Sequence, residues 1–278
     1  MRAAAFALLA LLAGAGSAAA ADAPPAAKLP PSEETAKDRL NTSPRHGEWV
    51  TIDAPGGQVR TWVVWPERKD KAPVVVVIHE IFGLTDWIRG VADQLAADGF
   101  IAVAPDLLSG KGKGGGGTDT FASRDDVVKA VAGLPRSEVA ARLDAVRKHA
   151  IALPAANGRT ASIGFCWGGA TSFAWAMKQP DLDAAIVYYG PAPQEPGAIV
   201  KIAAPVLGLY GGNDERVNAT IEPTRRAMTD VGDRYDTHIF DGAGHGFLRA
   251  QSGLEGANLR ATEKAWPLTI AFLDRHTR

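Results

Sequence analysis

The sequence predicts a single α/β domain: a doubly wound, mostly parallel sheet with helices on both faces. Three observations carry that expectation. From residue 73 onward, β-branched apolar segments alternate with segments of helical period, the succession expected of βαβ units. Pro73-Val-Val-Val-Val-Ile78 is apolar without alternation, as a strand covered on both faces should be. Gly164-Phe-Cys-Trp-Gly168 closes one of these strands and opens a helix, the G-x-nucleophile-x-G form of a sharp strand-to-helix turn with cysteine in the nucleophile position.

In chain order, residues 1–21 read as a secretory signal peptide. Met1-Arg2 is a short positive start, Ala3 to Ala15 form an apolar core containing Phe6, Leu8, Leu9, Leu11 and Leu12, and Ser17 to Ala21 offer cleavage positions before Asp22. The apolar stretch is short for a bilayer span, so the mature protein is expected in the periplasm or outside the cell. Residues 22–46, rich in Ala and Pro at their start, read as a flexible leader, and residues 47–278 as the folded domain. Glu48–Asp53 and Val59–Trp65, joined by Ala54-Pro-Gly-Gly57, predict an antiparallel hairpin at a sheet edge. Beyond strand 73–78, helices are expected over 85–98, 137–152, 169–178, 221–231 and 261–275. The strands expected between them are 100–104, 160–164, 184–189, 205–210 and 235–240. Gly110-Lys-Gly-Lys-Gly-Gly-Gly-Gly117 reads as a mobile loop beside the site. It is not followed by Lys-Ser/Thr opening a helix, which removes the phosphate-cradle reading.

Composition narrows the function. The 278 residues are 46% apolar and 22% charged with a formal net charge of -1, ordinary globular material without the electrostatic footprint of a nucleic-acid or membrane-surface binder. One cysteine excludes an intramolecular disulfide, and an unpaired thiol in an exported chain is a candidate for reactivity.

A lone cysteine ordinarily reads as a small buried hydrophobe; the glycines beside Cys166 and its prospective partners argue otherwise. A thiol nucleophile needs a base, and the base an orienting acid. In a doubly wound sheet these come from loops at the carboxyl ends of later strands. Asp214 follows strand 205–210 through Gly211-Gly-Asn213, and His245 follows strand 235–240 through Asp241-Gly-Ala-Gly244. Asp241 competes as the acid, but lies too close in sequence to reach the far side of the imidazole. His79-Glu-Ile-Phe-Gly83 ends the Val-rich strand and puts the Glu80 carboxylate and the Ile81 N–H at the mouth of the site.

Together His79-Glu-Ile-Phe-Gly83, Gly164-Phe-Cys-Trp-Gly-Gly169, Tyr188-Tyr-Gly190, Gly211-Gly-Asn-Asp214 and Gly244-His-Gly-Phe247 resemble the dienelactone hydrolase family over about residues 47 to 275. The resemblance implies an α/β-hydrolase fold and a triad of Cys166, His245 and Asp214. It also implies an oxyanion hole from the backbone N–H groups of Ile81 and Trp167, and a Glu80 that meets the cysteine at rest and swings to take the thiol proton when substrate binds. Arg249 matches an arginine that binds substrate carboxylate in chlorocatechol-pathway members, and Arg124 is the nearest candidate for a second. Gly246 stands where those members carry serine, and residues 107–136 depart from the family pattern.

The function expected is an exported, monomeric, cysteine-dependent hydrolase of small esters or enol lactones acting through a thioester. It needs no metal or organic cofactor, since His79 has no second ligand at a useful spacing. Trp87, Phe121, Trp167 and Tyr188 are candidate pocket residues, Tyr188 also for substrate binding. Two other readings are a non-catalytic binder of a small carboxylate or lactone, and another acyl-transfer enzyme such as a small peptidase.

Overall fold

The computed structural model describes residues 29–193, 199 and 202–278; the expected signal peptide, 1–21, lies outside them. Eight strands form one sheet in the order β1-β2-β4-β3-β5-β6-β7-β8. β1 (Gly47–Ala54) and β2 (Gly57–Val64) make the expected hairpin, and β2 also runs antiparallel to β4 (Ile101–Pro105). From β4 onward every pairing is parallel, through β3 (Ala72–Ile78), β5 (Ala156–Phe165), β6 (Ala184–Tyr188), β7 (Val206–Gly211) and β8 (Tyr235–Phe240).

The period of two along β3 divides the core. Val75 and Val77 join a layer with Ile88, Val91 and Leu95 of α2 (Asp86–Ala97) and with Ala265, Trp266 and Leu273 of α8 (Ala257–Thr277). Val74, Val76 and Ile78 face the opposite layer, with Val139, Leu143 and Val146 of α4 (Arg136–Ile151), Phe173 of α5 (Trp167–Ala176) and Met228 of α7 (Ile221–Asp230). All seven residues of β3 are buried, each Val or Ile side chain stabilising the fold by about 1.5–3 kcal/mol relative to exposure.

Three segments differ from the sequence expectation. Residues 29–46, part of the stretch read as a flexible leader, pack on the domain, and α1 (Ala36–Thr42) buries Ala36 in the core. Arg45 clamps Asp93 of α2 with Nε at 2.9 Å and Nη2 at 2.6 Å, both side chains almost wholly buried. A long-range bidentate pair of this kind is invisible to composition. The glycine-rich segment, expected to be mobile, is tied to the end of β4. Asp106 accepts from the N–H groups of Leu108 (3.0 Å) and Thr118 (2.7 Å) and from the Thr118 hydroxyl (2.7 Å). Thr118 Oγ1 also accepts from the Leu84 N–H at 3.1 Å, joining this loop to the turn after β3. Finally, α3 (Arg124–Ala132) was not expected. Its signal is Ser123-Arg-Asp-Asp126, whose serine caps the helix by accepting from the Asp126 N–H.

Candidate active site

Every predicted site residue except Arg124, which opens α3, lies at or just beyond the carboxyl end of a parallel strand or in the loop that follows it. Cys166 sits between β5 and α5 with φ 54° and ψ −114°, a conformation that a residue with a side chain adopts at a cost of about 1–3 kcal/mol. The turn is sharp because neighbouring backbones touch. A Cβ on Gly168 would stand 2.3 Å from the carbonyl oxygens of both Ile78 and His79, and one on Gly164 would stand 1.9 Å from Gly168 O. The Cys166 N–H donates to Tyr188 O at 3.0 Å, locking the elbow to β6. The Trp167 N–H, first of α5, reaches back to the sulfur and favours its ionised form, as a helix N-terminus should.

Asp214 precedes the short α6 (Glu215–Asn218), is nearly buried, and accepts from His245 Nδ1 at 2.5 Å. That bond places the proton on Nδ1 and leaves Nε2 as the free ring nitrogen. The two loops are joined by backbone bonds, Gly212 N–H to Phe240 O (2.8 Å) and Asn213 N–H to Ala243 O (2.9 Å). Asp214 rather than Asp241 therefore orients the histidine. Among the described residues no hydrogen bond joins Cys166 Sγ to His245; such contacts often tighten only once substrate is bound.

The thiol is neutral at rest. Burial, and after it the charge of Glu80, push the Cys166 pKa up to about 11. Glu80 is 3% exposed, and burial raises its pKa to about 7 against the attraction of Arg249. Its Oε2 lies 2.8 Å from Arg249 Nε. The Nε–H does not point at an acceptor, so the contact is an ion pair without an aligned hydrogen bond. The structure thus places Glu80 with Arg249, and no hydrogen bond joins it to the thiol as the resemblance implied. Arg249 also pairs with Glu33, which Arg124 approaches at 3.6 Å. The Ile81 N–H has no acceptor among the described residues and sits at the same strand end.

Several expectations need correction. Tyr188 does not face the site: it is fully buried and its hydroxyl bonds Thr269 at 2.7 Å. Its neighbour Tyr189, at φ 39°, is the tyrosine of the site. The ring lies edge-on to His245 at 5.2 Å, and its buried hydroxyl has no hydrogen-bond partner among the described residues. Burial, then the charge of Glu80, hold that phenol well above its usual range. The sequence expectation runs this strand through 189, whereas it ends at Tyr188; the signal for Tyr189 is its place directly before Gly190. Trp87 is core, packed edge-on against Phe165, with its indole N–H on Pro31 O. Phe121 and Trp167 are partly buried with Ile81 around Leu108 and Val131. His79 is a satisfied core histidine: Nδ1 contacts Glu80 O at 2.7 Å, Nε2 accepts from the Leu107 N–H at 3.3 Å, and the ring stacks on Trp167. Burial lowers its pKa, so it stays neutral and props the Glu80–Ile81 turn. No cluster of three or more His, Cys, Asp or Glu among the described residues could hold a metal ion.

The geometry has close counterparts. The model of the dienelactone hydrolase family matches residues 59–277. A Salmonella typhimurium protein named as a carboxymethylenebutenolidase is 33% identical over 210 residues, 71% of this chain and 76% of that one. A crystal structure titled as a dienelactone hydrolase from Klebsiella pneumoniae superposes with a TM-score of 0.74 at 26% identity, over 83% of this chain and 98% of that one. A dienelactone hydrolase-like promiscuous phosphotriesterase from metagenomic libraries has a TM-score of 0.71 at 25% identity, over 84% and 99%. Acylaminoacyl peptidases at 17–18% identity share the fold alone. With its α/β-hydrolase fold and a match over most of its length, the chain belongs to the dienelactone hydrolase family and is a hydrolase acting on ester bonds.

Proposed function

We propose that the protein is an exported, monomeric cysteine hydrolase of small carboxylic esters and enol lactones, with Cys166 as nucleophile, His245 as general base and acid, and Asp214 as its orienting group. The observation that carries this reading is the His245–Asp214 bond at 2.5 Å, made from the loops that follow β7 and β8, beside a cysteine held at positive φ. The signal-like pattern of residues 1–21 supports export.

The thiol proton passes to His245 or to Glu80, and the sulfur attacks the carbonyl carbon. The oxyanion forms between the N–H groups of Ile81 and Trp167, a contribution of about 3–4 kcal/mol per donor in comparable hydrolases. Collapse breaks the bond to the alcohol oxygen, which takes the proton back from the group that received it, the His245 imidazolium or the Glu80 carboxylic acid, and leaves a thioester on Cys166. Water, deprotonated by His245, attacks that thioester. The sulfur departs as thiolate, regains its proton, and the acid product is released. Thiolate is a strong nucleophile and also a good leaving group, which suits activated esters and enol lactones.

The test is turnover of 4-nitrophenyl acetate and of cis- and trans-dienelactone by the mature protein, beside Cys166→Ala and after iodoacetamide. The reading requires turnover that both treatments abolish. Turnover that survives Cys166→Ala would refute it. No turnover by the intact protein, with Cys166 inert to alkylation, would favour a binding role.

A further inference from the structure

Residues 29–35 lie as a fitted strap on α2 and on the segment that carries Arg249 and Gln251. Pro30, Pro31 and Ser32 are buried. The Trp87 indole N–H donates to Pro31 O (3.0 Å), Gln251 Nε2 to Pro30 O (3.0 Å), and the Glu33 N–H to Arg249 O (2.9 Å). The groove that receives the strap is cut by Gly90 of α2, where a Cβ would come within 2.6 Å of Pro31 Cγ.

The backbone therefore delivers one side chain, Glu33, to a defined place. Its carboxylate pairs with Arg249 and stands 3.6 Å from Arg124. Both guanidinium groups lie over the ring of Phe82, at 5.3 Å and 3.7 Å from its centroid, next to the Ile81 turn. These are the two arginines that the sequence offered as binders of a substrate carboxylate. Arg249 holds Glu80 as well. Two cations thus already face two carboxylates of the chain itself, one buried beside the thiol and one brought in by the strap.

We propose that Glu33 determines specificity: it fills the anion position between Arg249 and Arg124, so that the enzyme selects uncharged esters and lactones against those carrying a carboxylate beside the scissile bond. The inference rests on the reading that substrates reach Cys166 past these arginines. A third carboxylate entering there would meet a neutralised pair and the negative field of Glu33. The strap's main-chain bonds hold residue 33 in position without help from its charge, so removing the charge leaves the strap seated, Arg249 with Glu80 alone and Arg124 without the Glu33 carboxylate.

Iodoacetate and iodoacetamide differ chiefly in charge and both report on the Cys166 thiol without requiring turnover. Their second-order alkylation rates are measured on the full mature chain, on Glu33→Gln, and on Glu34→Gln, which removes a neighbouring charge that bonds Ser252 instead. The iodoacetate-to-iodoacetamide ratio should rise about tenfold in Glu33→Gln, the size of one well-placed charge contact near a protein surface, and stay within about twofold in Glu34→Gln. A ratio moved less than about twofold by Glu33→Gln, or moved equally by Glu34→Gln, overturns the proposal. A matched ester pair, 4-nitrophenyl butyrate and mono-4-nitrophenyl succinate, separates the two readings. Ester turnover with an unmoved ratio leaves the hydrolase standing and refutes the role of Glu33. A moved ratio without turnover of either ester does the reverse.

Discussion

Replacing Glu80 with glutamine separates its two effects on the thiol. At rest the Cys166 pKa stands at about 11 against an ordinary 9.0, with burial the larger cause and the Glu80 charge the next. Glutamine keeps the burial and deletes the charge, so roughly one unit of that rise should vanish, which is about tenfold more thiolate at any pH well below 11. The difference has a pH window, because the Glu80 carboxyl itself titrates at about 7. Below pH 7 the wild-type side chain is protonated and neutral, and both proteins should react with iodoacetamide at similar rates. Above pH 7 the wild-type carboxylate appears, and Glu80→Gln should alkylate up to about tenfold faster. Ester turnover should move the opposite way if Glu80 takes the thiol proton, falling by about 10²–10⁴-fold, the usual worth of a positioned general base. Alkylation rates from pH 5 to 10 by mass spectrometry, beside kcat for 4-nitrophenyl acetate, test both halves. A rate ratio that does not change across pH 7 would refute the electrostatic argument. Faster turnover together with faster alkylation would make Glu80 a brake on the thiol and leave His245 as the only base.

Stability should respond to the same group. The folded pKa of Glu80 lies above its ordinary 4.5, so the unfolded chain releases this proton first and stability falls as pH rises from 4.5 to about 7. The loss is of order 3 kcal/mol, and chemical denaturation of Glu80→Gln should show a decline smaller by about that amount; parallel curves would contradict the buried-carboxylate assignment. Gly168→Ala sets a methyl 2.3 Å from two backbone carbonyl oxygens, which cannot turn aside as a side chain could. It should cost about 3 kcal/mol or more in denaturant midpoint experiments, and a loss under about 1 kcal/mol would show that the elbow relaxes freely. Tyr189→Phe removes a buried hydroxyl with no partner among the described residues, so thermal stability should hold or rise while kcat/KM falls. Unchanged kcat/KM would assign Tyr189 to packing alone.

The positions of Cys166, Asp214 and His245 were legible because they depend on local patterns. Short continuous apolar runs end in glycine-bearing turns, and in a parallel sheet those turns all emerge on one edge. Most strand boundaries held to within two residues for the same reason, β3 being an uninterrupted β-branched run, whereas β5 begins at Ala156 rather than at 160 because Ala156-Asn-Gly-Arg159 carries no apolar run. What escaped depends on contacts between residues far apart in sequence. Asp106 fixes the glycine-rich loop through Thr118, twelve residues on. Arg45 fixes the N-terminal segment through Asp93. Neither pairing leaves a trace in composition, which reported Gly and Pro and hence looseness. The Tyr188–Tyr189 exchange is a question of backbone geometry at the strand end. The strand finishes at Tyr188, whose ring stays in the core, and the positive φ of Tyr189 turns the next ring toward His245.

The resting electrostatics and the chemistry of the site make opposite demands, and the arrangement of charges reconciles them. A sulfur that attacks carbonyls must ionise, yet the thiolate is also the form that oxidants and stray electrophiles consume. With a pKa of about 11, the thiol holds only about one ionised molecule in a thousand at pH 8, so the empty site is protected by burial and by the carboxylate beside it. In the proposed mechanism the groups that favour negative charge are fixed dipoles, the Trp167 and Ile81 N–H groups, placed for the oxygen that becomes negative. Ionisation of Cys166 in the absence of substrate opposes Glu80. Once substrate is bound, the proposed mechanism passes the sulfur's charge onto an oxygen held by those two donors. In that mechanism Cys166 is activated by the bond it makes rather than by a standing ion pair, and the absence of a Cys166–His245 hydrogen bond at rest is compatible with it.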